Sequence, residues 1–135
     1  MATFAWNDSY SVRVQQLDAQ HKKLFDTINS LADAMRMGKG ADAIRGVVQQ
    51  LVVYTRTHFQ QEEALMRQTG YPGLAAHQQQ HAQLLADVGK YQREIETGQA
   101  PNSVAVLSFL QKWLVGHIQQ SDKAYAEHMN THGVR

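Results

Sequence analysis

Apolar residues recur along this chain at helical spacing in four separate runs. In the first, His21, Leu24, Phe25, Ile28, Leu31 and Met35 follow the i, i+3, i+4, i+7 rule that gathers side chains on one helix face. The second run aligns Val47, Val48, Leu51, Tyr54, His58, Glu62 and Leu65. The third aligns Leu74, His77, His81, Leu84, Val88, Tyr91 and Ile95, and the fourth Leu107, Leu110, Trp113, Leu114, His117, Ile118 and Tyr125. Breaks separate the runs at Gly38 and Gly40, at TGYPG (69–73) and at TGQAPNS (97–103). Pro72 and Pro101 fall inside the last two, where a helix cannot continue. Four helices of about 20 to 28 residues with short connections predict an all-α chain, folded as an up-down-up-down antiparallel four-helix bundle. Residues 1–17 lack the period and are expected to form an N-terminal arm, with Phe4, Trp6 and Tyr10 available to pack on the bundle. Residues 18–130 would form the bundle itself, within a single domain over 1–135.

The stripes contain residues that do not belong in a core. His21, His58, His77, His81, His117 and Glu62 take positions where the pattern calls for a hydrophobe. A buried carboxylate or imidazole is unfavourable unless it is paired or bound to metal. In an antiparallel pair, residues equally distant from the connecting turn share a height. His21 and His58 are nearly equidistant from the first turn, Glu62 and His77 from the second, His81 and His117 from the third. All six therefore converge on one level, near the end that carries the second turn. Asp122 lies five residues beyond His117, about 140° away on an ideal helix. Either the two approach from opposite flanks or a π-type widening near Ser121 realigns them, and the widening is the expectation.

Composition narrows the chemistry. With 135 residues the chain can bury a core, and 13 basic against 12 acidic residues give a net charge of +1 without a basic block. Nucleic acid is not an expected partner. The absence of cysteine excludes disulfides and thiolate-held metals, so any metal must be held by His, Asp or Glu. MATFAWNDSY is no signal peptide, and no apolar run reaches the roughly 18 residues of a membrane span. A cytoplasmic protein without membrane insertion is expected.

Five imidazoles and two carboxylates are too many donors for one tetrahedral zinc. They suit two first-row metal ions with shared carboxylates, and the predominance of neutral nitrogen points to mild, reversible redox chemistry. The pattern His21, His58-x-x-x-Glu62, His77-x-x-x-His81 and His117-x-x-x-x-Asp122 resembles the hemerythrins, specifically single-domain bacterial ones. LDAQHKKLF (17–25), THFQQEEALM (57–66), GYPGLAAHQQQH (70–81) and WLVGHIQQSDKAY (113–125) carry the likeness over nearly the whole chain. Arg13 departs from it, standing where relatives often have glycine; that bears on how the arm packs, not on the ligands.

The resemblance implies a non-haem diiron centre with an oxo or hydroxo bridge. His77, His81 and His117 would hold one iron, His21 and His58 the other, and Glu62 and Asp122 would bridge. The iron held by two histidines would keep an open position for O2. Leu24, Phe59, Trp113, Leu114 and Ile118 match positions that wall the oxygen pocket in relatives, and Tyr125 would orient the ligands. The function implied is reversible O2 binding, as carrier or store, by a monomer that is not an enzyme and delivers to an unidentified oxygen-consuming partner. The alternatives are a sensor of O2 or redox state acting through a separate protein, or a diiron enzyme (peroxidase, ferroxidase or nitric-oxide handling). Glu63 is read as a charge on a solvated face, Gln78, Gln79 and Gln80 as spacers facing water or neighbouring helices, and His128 and His132 as solvated histidines of the tail.

Overall fold

The computed structural model describes residues 5–98 and 102–135, so Phe4, Pro101 and the centre of the third connection lie outside it. A short 3-10 turn, Asp8–Tyr10, precedes the helices α1 (Gln15–Arg36), α2 (Gly40–Gln68), α3 (Leu74–Glu96) and α4 (Ser103–Gly116). The fourth rod continues from α4 through a π-helical turn, His117–Asp122, into α5 (Lys123–Thr131). The result is the expected four-helix bundle, with α1 packed on α2 and α4, and α2 on α3. The first helix starts before residue 18, because the arm ends in extended backbone at Val14.

Local chemistry sets where each helix stops. Gly38 and Gly70 adopt positive φ, 73° and 69°, just past α1 and α2, a conformation glycine reaches without steric penalty. The following amides then turn back, Lys39 N–H to the carbonyl of Ala34 at 2.7 Å and Tyr71 N–H to that of Met66 at 2.9 Å. Asn102 starts α4 by accepting from the amides of Val104 and Ala105. No described helix is long and apolar enough to cross a membrane.

The arm packs closely. Trp6 and Tyr10 lie on Phe25 with ring centroids 5.6 and 5.0 Å away, and Val12 and Val14 are buried. Asp18 ties the arm down by accepting from Ser11 Oγ at 2.6 Å and from the Val12 amide at 2.9 Å. Arg13 sits between the two buried valines at φ 55°, the only non-glycine with positive φ among the described residues. A left-handed residue with a Cβ costs about 1–2 kcal/mol, and glycine gives back roughly 0.5–1 kcal/mol as unfolded-chain entropy. Arg13→Gly should therefore stabilise the fold by about 0.5–1 kcal/mol, read as a rise in the urea midpoint at unchanged m-value.

Two apolar clusters result. The larger includes Leu24, Phe25, Ile28, Leu51, Phe59, Leu110, Leu114 and Ile118. The smaller joins Val12, Val14 and Leu17 from the arm side to Met66, Tyr125 and Met129. One turn apart on each helix, Leu17 and Leu24 flank His21, while Phe59 and Met66 flank Glu62. The polar layer thus lies between two dry cores.

Candidate metal centre

The seven residues singled out by their spacing meet. Glu62, His77, His81, His117 and Asp122 form one group of potential ligand atoms, and His21, His58 and Glu62 a second, each with its atoms within 4.8 Å of one another. Glu62 belongs to both. Its Oε1 faces His77 Nε2 at 3.2 Å and His81 Nε2 at 3.0 Å, and its Oε2 faces His21 Nε2 at 3.1 Å and His58 Nε2 at 2.9 Å. Asp122 repeats this division, with Oδ1 at 3.1 Å from His77 and 3.0 Å from His117, and Oδ2 at 3.1 Å from His21.

Local geometry makes the Asp122 arrangement possible. The π-helical turn widens the rod over His117–Asp122, so a residue five positions on returns to the inward face. Asp122 is fully buried there, beside Ile118.

The fit of these donors to cations follows from atoms left without a suitable partner. His81 Nε2, His117 Nε2 and both carboxylate oxygens of Asp122 are buried and make no hydrogen bond. They are near one another in distance but misdirected as hydrogen bonds, as coordinating atoms aimed at a point between them would be. The ring tautomers sharpen this. His81 Nδ1 donates to Glu63 Oε2 at 2.7 Å, and His58 Nδ1 donates to Gln20 Oε1 at 2.6 Å. In the neutral rings, Nε2 then carries a lone pair pointing toward a carboxylate oxygen about 3 Å away. Lone pair against carboxylate is repulsive unless a positive charge lies between them. Protons or metal ions can supply it, and two carboxylates with five imidazoles suit divalent cations.

Protonation is the competing state. Burial opposes charge on His21, but the close carboxylates of Asp122 and Glu62 outweigh it and raise its pKa to about 10. The same balance raises His77 to about 9. Burial would raise the Glu62 and Asp122 carboxyls. For Glu62 the nearby imidazoles win and hold it well below the usual carboxylate range. For Asp122 burial and the repulsion of Glu62 both work upward, and His117 and His21 still pull it down. In the metal-free protein the contribution of His21 and His77 to stability is fully present below pH ~6.5, the unfolded histidine value, while that of the two carboxylates is lost only in strong acid. The histidine contribution is lost as pH rises through 9 to 10. Metal binding at pH 7 must displace the protons of His21 and His77, so loading should release about two per chain. Calorimetric titrations with zinc in two buffers of different ionisation enthalpy would count them; zero release would mean these rings are already neutral.

Tyr125 is buried and donates its hydroxyl to Glu62 Oε2 at 2.9 Å. Burial and the adjoining carboxylates push its pKa well up, so it stays a donor. Leu24, Phe59, Trp113, Leu114 and Ile118 are all buried in the larger core. Phe59 lies flat on the His81 ring, centroids 3.6 Å apart at 3°, with the His58 and His117 rings at 5.9 Å.

Two expectations require correction. Glu63 is only 22% exposed at its side chain and holds His81, rather than standing on a solvated face. Gln78 faces the neighbouring helix as expected, its Nε2 donating to Glu63 Oε1 at 3.2 Å, and Gln79 and Gln80 are exposed. His128 is half-buried and donates from Nε2 to the carbonyl of Thr69 at 2.8 Å, tying α5 to the end of α2; His132 is exposed as expected. Gln20, partner of His58, was not singled out at all. The available signal was chemical, because an imidazole that coordinates through one nitrogen needs an acceptor for the other, and residues one helix away at the same height are the candidates.

Comparison with known proteins gives a consistent picture. The family described as Hemerythrin HHE cation binding domain matches residues 12–128. A bacteriohemerythrin from Stenotrophomonas maltophilia is 33% identical over 132 residues, covering 98% of this chain and 85% of that protein. A myohemerythrin from Riftia pachyptila is 33% identical over 122 residues, 90% of each chain. The crystal structure of a wild-type hemerythrin superposes with a TM-score of 0.86 at 31% identity, covering 95% of this chain and 98% of that one.

Proposed function

As the chain belongs to the hemerythrin family, we propose that its buried layer holds two iron ions and binds O2 reversibly, serving as an oxygen carrier or store. The observation that carries this reading is the pair of ligand groups sharing Glu62, three histidines on one side and two on the other. The iron pair, when bound, supplies the O2 site and the two electrons exchanged with it.

The chain's own residues do the rest. Glu62 and Asp122 each present one oxygen to either half, and both would be shared by ions held there. Three histidines complete one half; the other has two, which leaves it room for a small ligand. Tyr125 fixes the Glu62 carboxylate by hydrogen bonding to Oε2. The five residues of the wall exclude water and admit a small apolar gas. Leu24, Phe59, Leu114 and Ile118 cannot donate a proton, and the indole N–H of Trp113 is too weak an acid to drive a bound species onward. This favours carrying over enzymatic turnover.

A single domain over 1–135 is the unit proposed, acting as a cytoplasmic monomer. Met37, Val53 and Val104 are the exposed large apolar side chains among the described residues, too scattered for a stable interface. The recipient would be a separate oxygen-consuming protein.

Optical titration of the reduced, iron-loaded protein with O2, followed by argon purging, tests the reading. A coloured species that forms with O2 and bleaches on purging is expected; irreversible oxidation with release of peroxide would instead support an enzyme. Among the ligands, His77→Ala should lower bound iron well below two per chain by metal analysis, and full retention would remove His77 from the set.

A further inference from the structure

Every histidine of the layer turns one ring nitrogen inward, and the other nitrogen meets different surroundings in the two halves. In the three-histidine half, His81 gives its Nδ1 proton to the Glu63 carboxylate at 2.7 Å, and Gln78 steadies that carboxylate from the next turn of α3. In the two-histidine half, His58 gives its Nδ1 proton to the Gln20 amide oxygen at 2.6 Å. The Gln20 amide nitrogen donates to Gln61, which fixes which way the amide points. His21 Nδ1 is buried with no partner. Both acceptors fix a ring and its tautomer, but only one of them is an anion.

We propose that Glu63 is a positioning residue that widens the difference between the two halves beyond their ligand count: its negative charge strengthens His81 as a nitrogen donor, so the three-histidine half holds its ion more tightly still. The inference rests on the diiron reading. A neutral amide orients an imidazole and does little else. A carboxylate also pulls on the Nδ1 proton, moving electron density toward Nε2 and raising the ring's basicity as a ligand. The charge is not tied up in an ion pair. Arg56 lines the same recess as Glu63 and His81, yet no ion pair joins Arg56 to Glu63 among the described residues. With its side chain 22% exposed, Glu63 is partly screened, so its influence is smaller than that of the fully buried Glu62. An uneven site suits the proposed function, because the ion with the room for a small ligand can change its surroundings while the other stays saturated.

Glu63→Gln removes the charge while the amide oxygen keeps the hydrogen bond to His81, provided Gln78 turns its own amide to accept from the new NH2. Wild type, Glu63→Gln and Gln20→Glu would be loaded with ferrous iron anaerobically, checked for equal helix content, and challenged with excess ferrous chelator. Wild type should release iron in two phases. In Glu63→Gln the slow phase should accelerate about tenfold, the lower end for losing such a partner, with the fast phase unchanged. The midpoint potential of the iron pair should rise, because a less basic ring stabilises the ferric state less. Gln20→Glu should slow the fast phase, which keeps the inference testable if Glu63→Gln folds poorly. A wild-type chain that cannot retain two irons before chelator is added overturns both the diiron reading and this inference. Two irons retained by wild type, with wild-type release rates and potential in Glu63→Gln, overturn this inference alone.

Discussion

Glu62→Gln should empty both halves of the site at once, where His77→Ala should weaken chiefly one. Among the described residues, Glu62 alone belongs to both ligand groups. Each of its oxygens serves two histidines, at 2.9 to 3.2 Å. Glutamine has nearly the same shape and still accepts the Tyr125 hydroxyl, so packing should survive. What disappears is a full negative charge at the centre of a dry layer, opposite ions that need it. Removing one partner of a buried charge pair costs about 3–5 kcal/mol, so iron affinity should fall at least a hundredfold, taking 1.4 kcal/mol per factor of ten. Iron per chain after desalting would report the loss, with far-UV circular dichroism as the check on folding. Two ions retained with an unchanged spectrum would mean that Asp122 alone bridges, and the sharing inferred for Glu62 would be wrong.

Much of this site is legible in the sequence, and the reason is geometric. Antiparallel helices joined by short turns turn sequence distance into height, so His21, His58, Glu62, His77, His81 and His117 could be placed on one level by counting. Even the widened turn at His117–Asp122 followed from a spacing of five that an α-helix does not bring to one face. What stayed hidden were the outer partners. Glu63 and Gln20 look like ordinary polar residues beside a ligand, and side-chain reach across helices, not periodicity, decides that they meet His81 and His58. The role of His128 is hidden for a related reason. Its height put it far from the metal layer, which was right, but its partner is the Thr69 carbonyl at a helix end, and sequence does not mark backbone acceptors. The strain at Arg13 was legible only as a departure from the family habit of glycine; the positive φ gives that departure a physical meaning.

Leu114→Ala should make the oxygenated protein autoxidise faster, by about tenfold, which corresponds to about 1.4 kcal/mol off the barrier. Leu114 is 2% exposed and precedes His117 by three residues on the same rod, with Ile118 one turn beyond it. Truncation leaves space beside the histidines, and a buried leucine lost to alanine also costs about 2–5 kcal/mol of stability. The two effects must be separated, because a looser fold could admit water anywhere. Leu31→Ala serves as the control. It removes the same atoms from the same apolar core, where Leu31 is fully buried, yet Leu31 lies ten residues along α1 from His21, about 15 Å away. Both variants should melt earlier than wild type, and only Leu114→Ala should lose its oxygenated colour faster in air. If Leu31→Ala bleaches as quickly, water enters by general loosening and the wall has no special place in protecting the site. If neither bleaches faster, Leu114 is core and nothing more. A selective effect would tie the lifetime of the oxygenated state to dryness at this one surface, the property that distinguishes a site that returns O2 from one that consumes it.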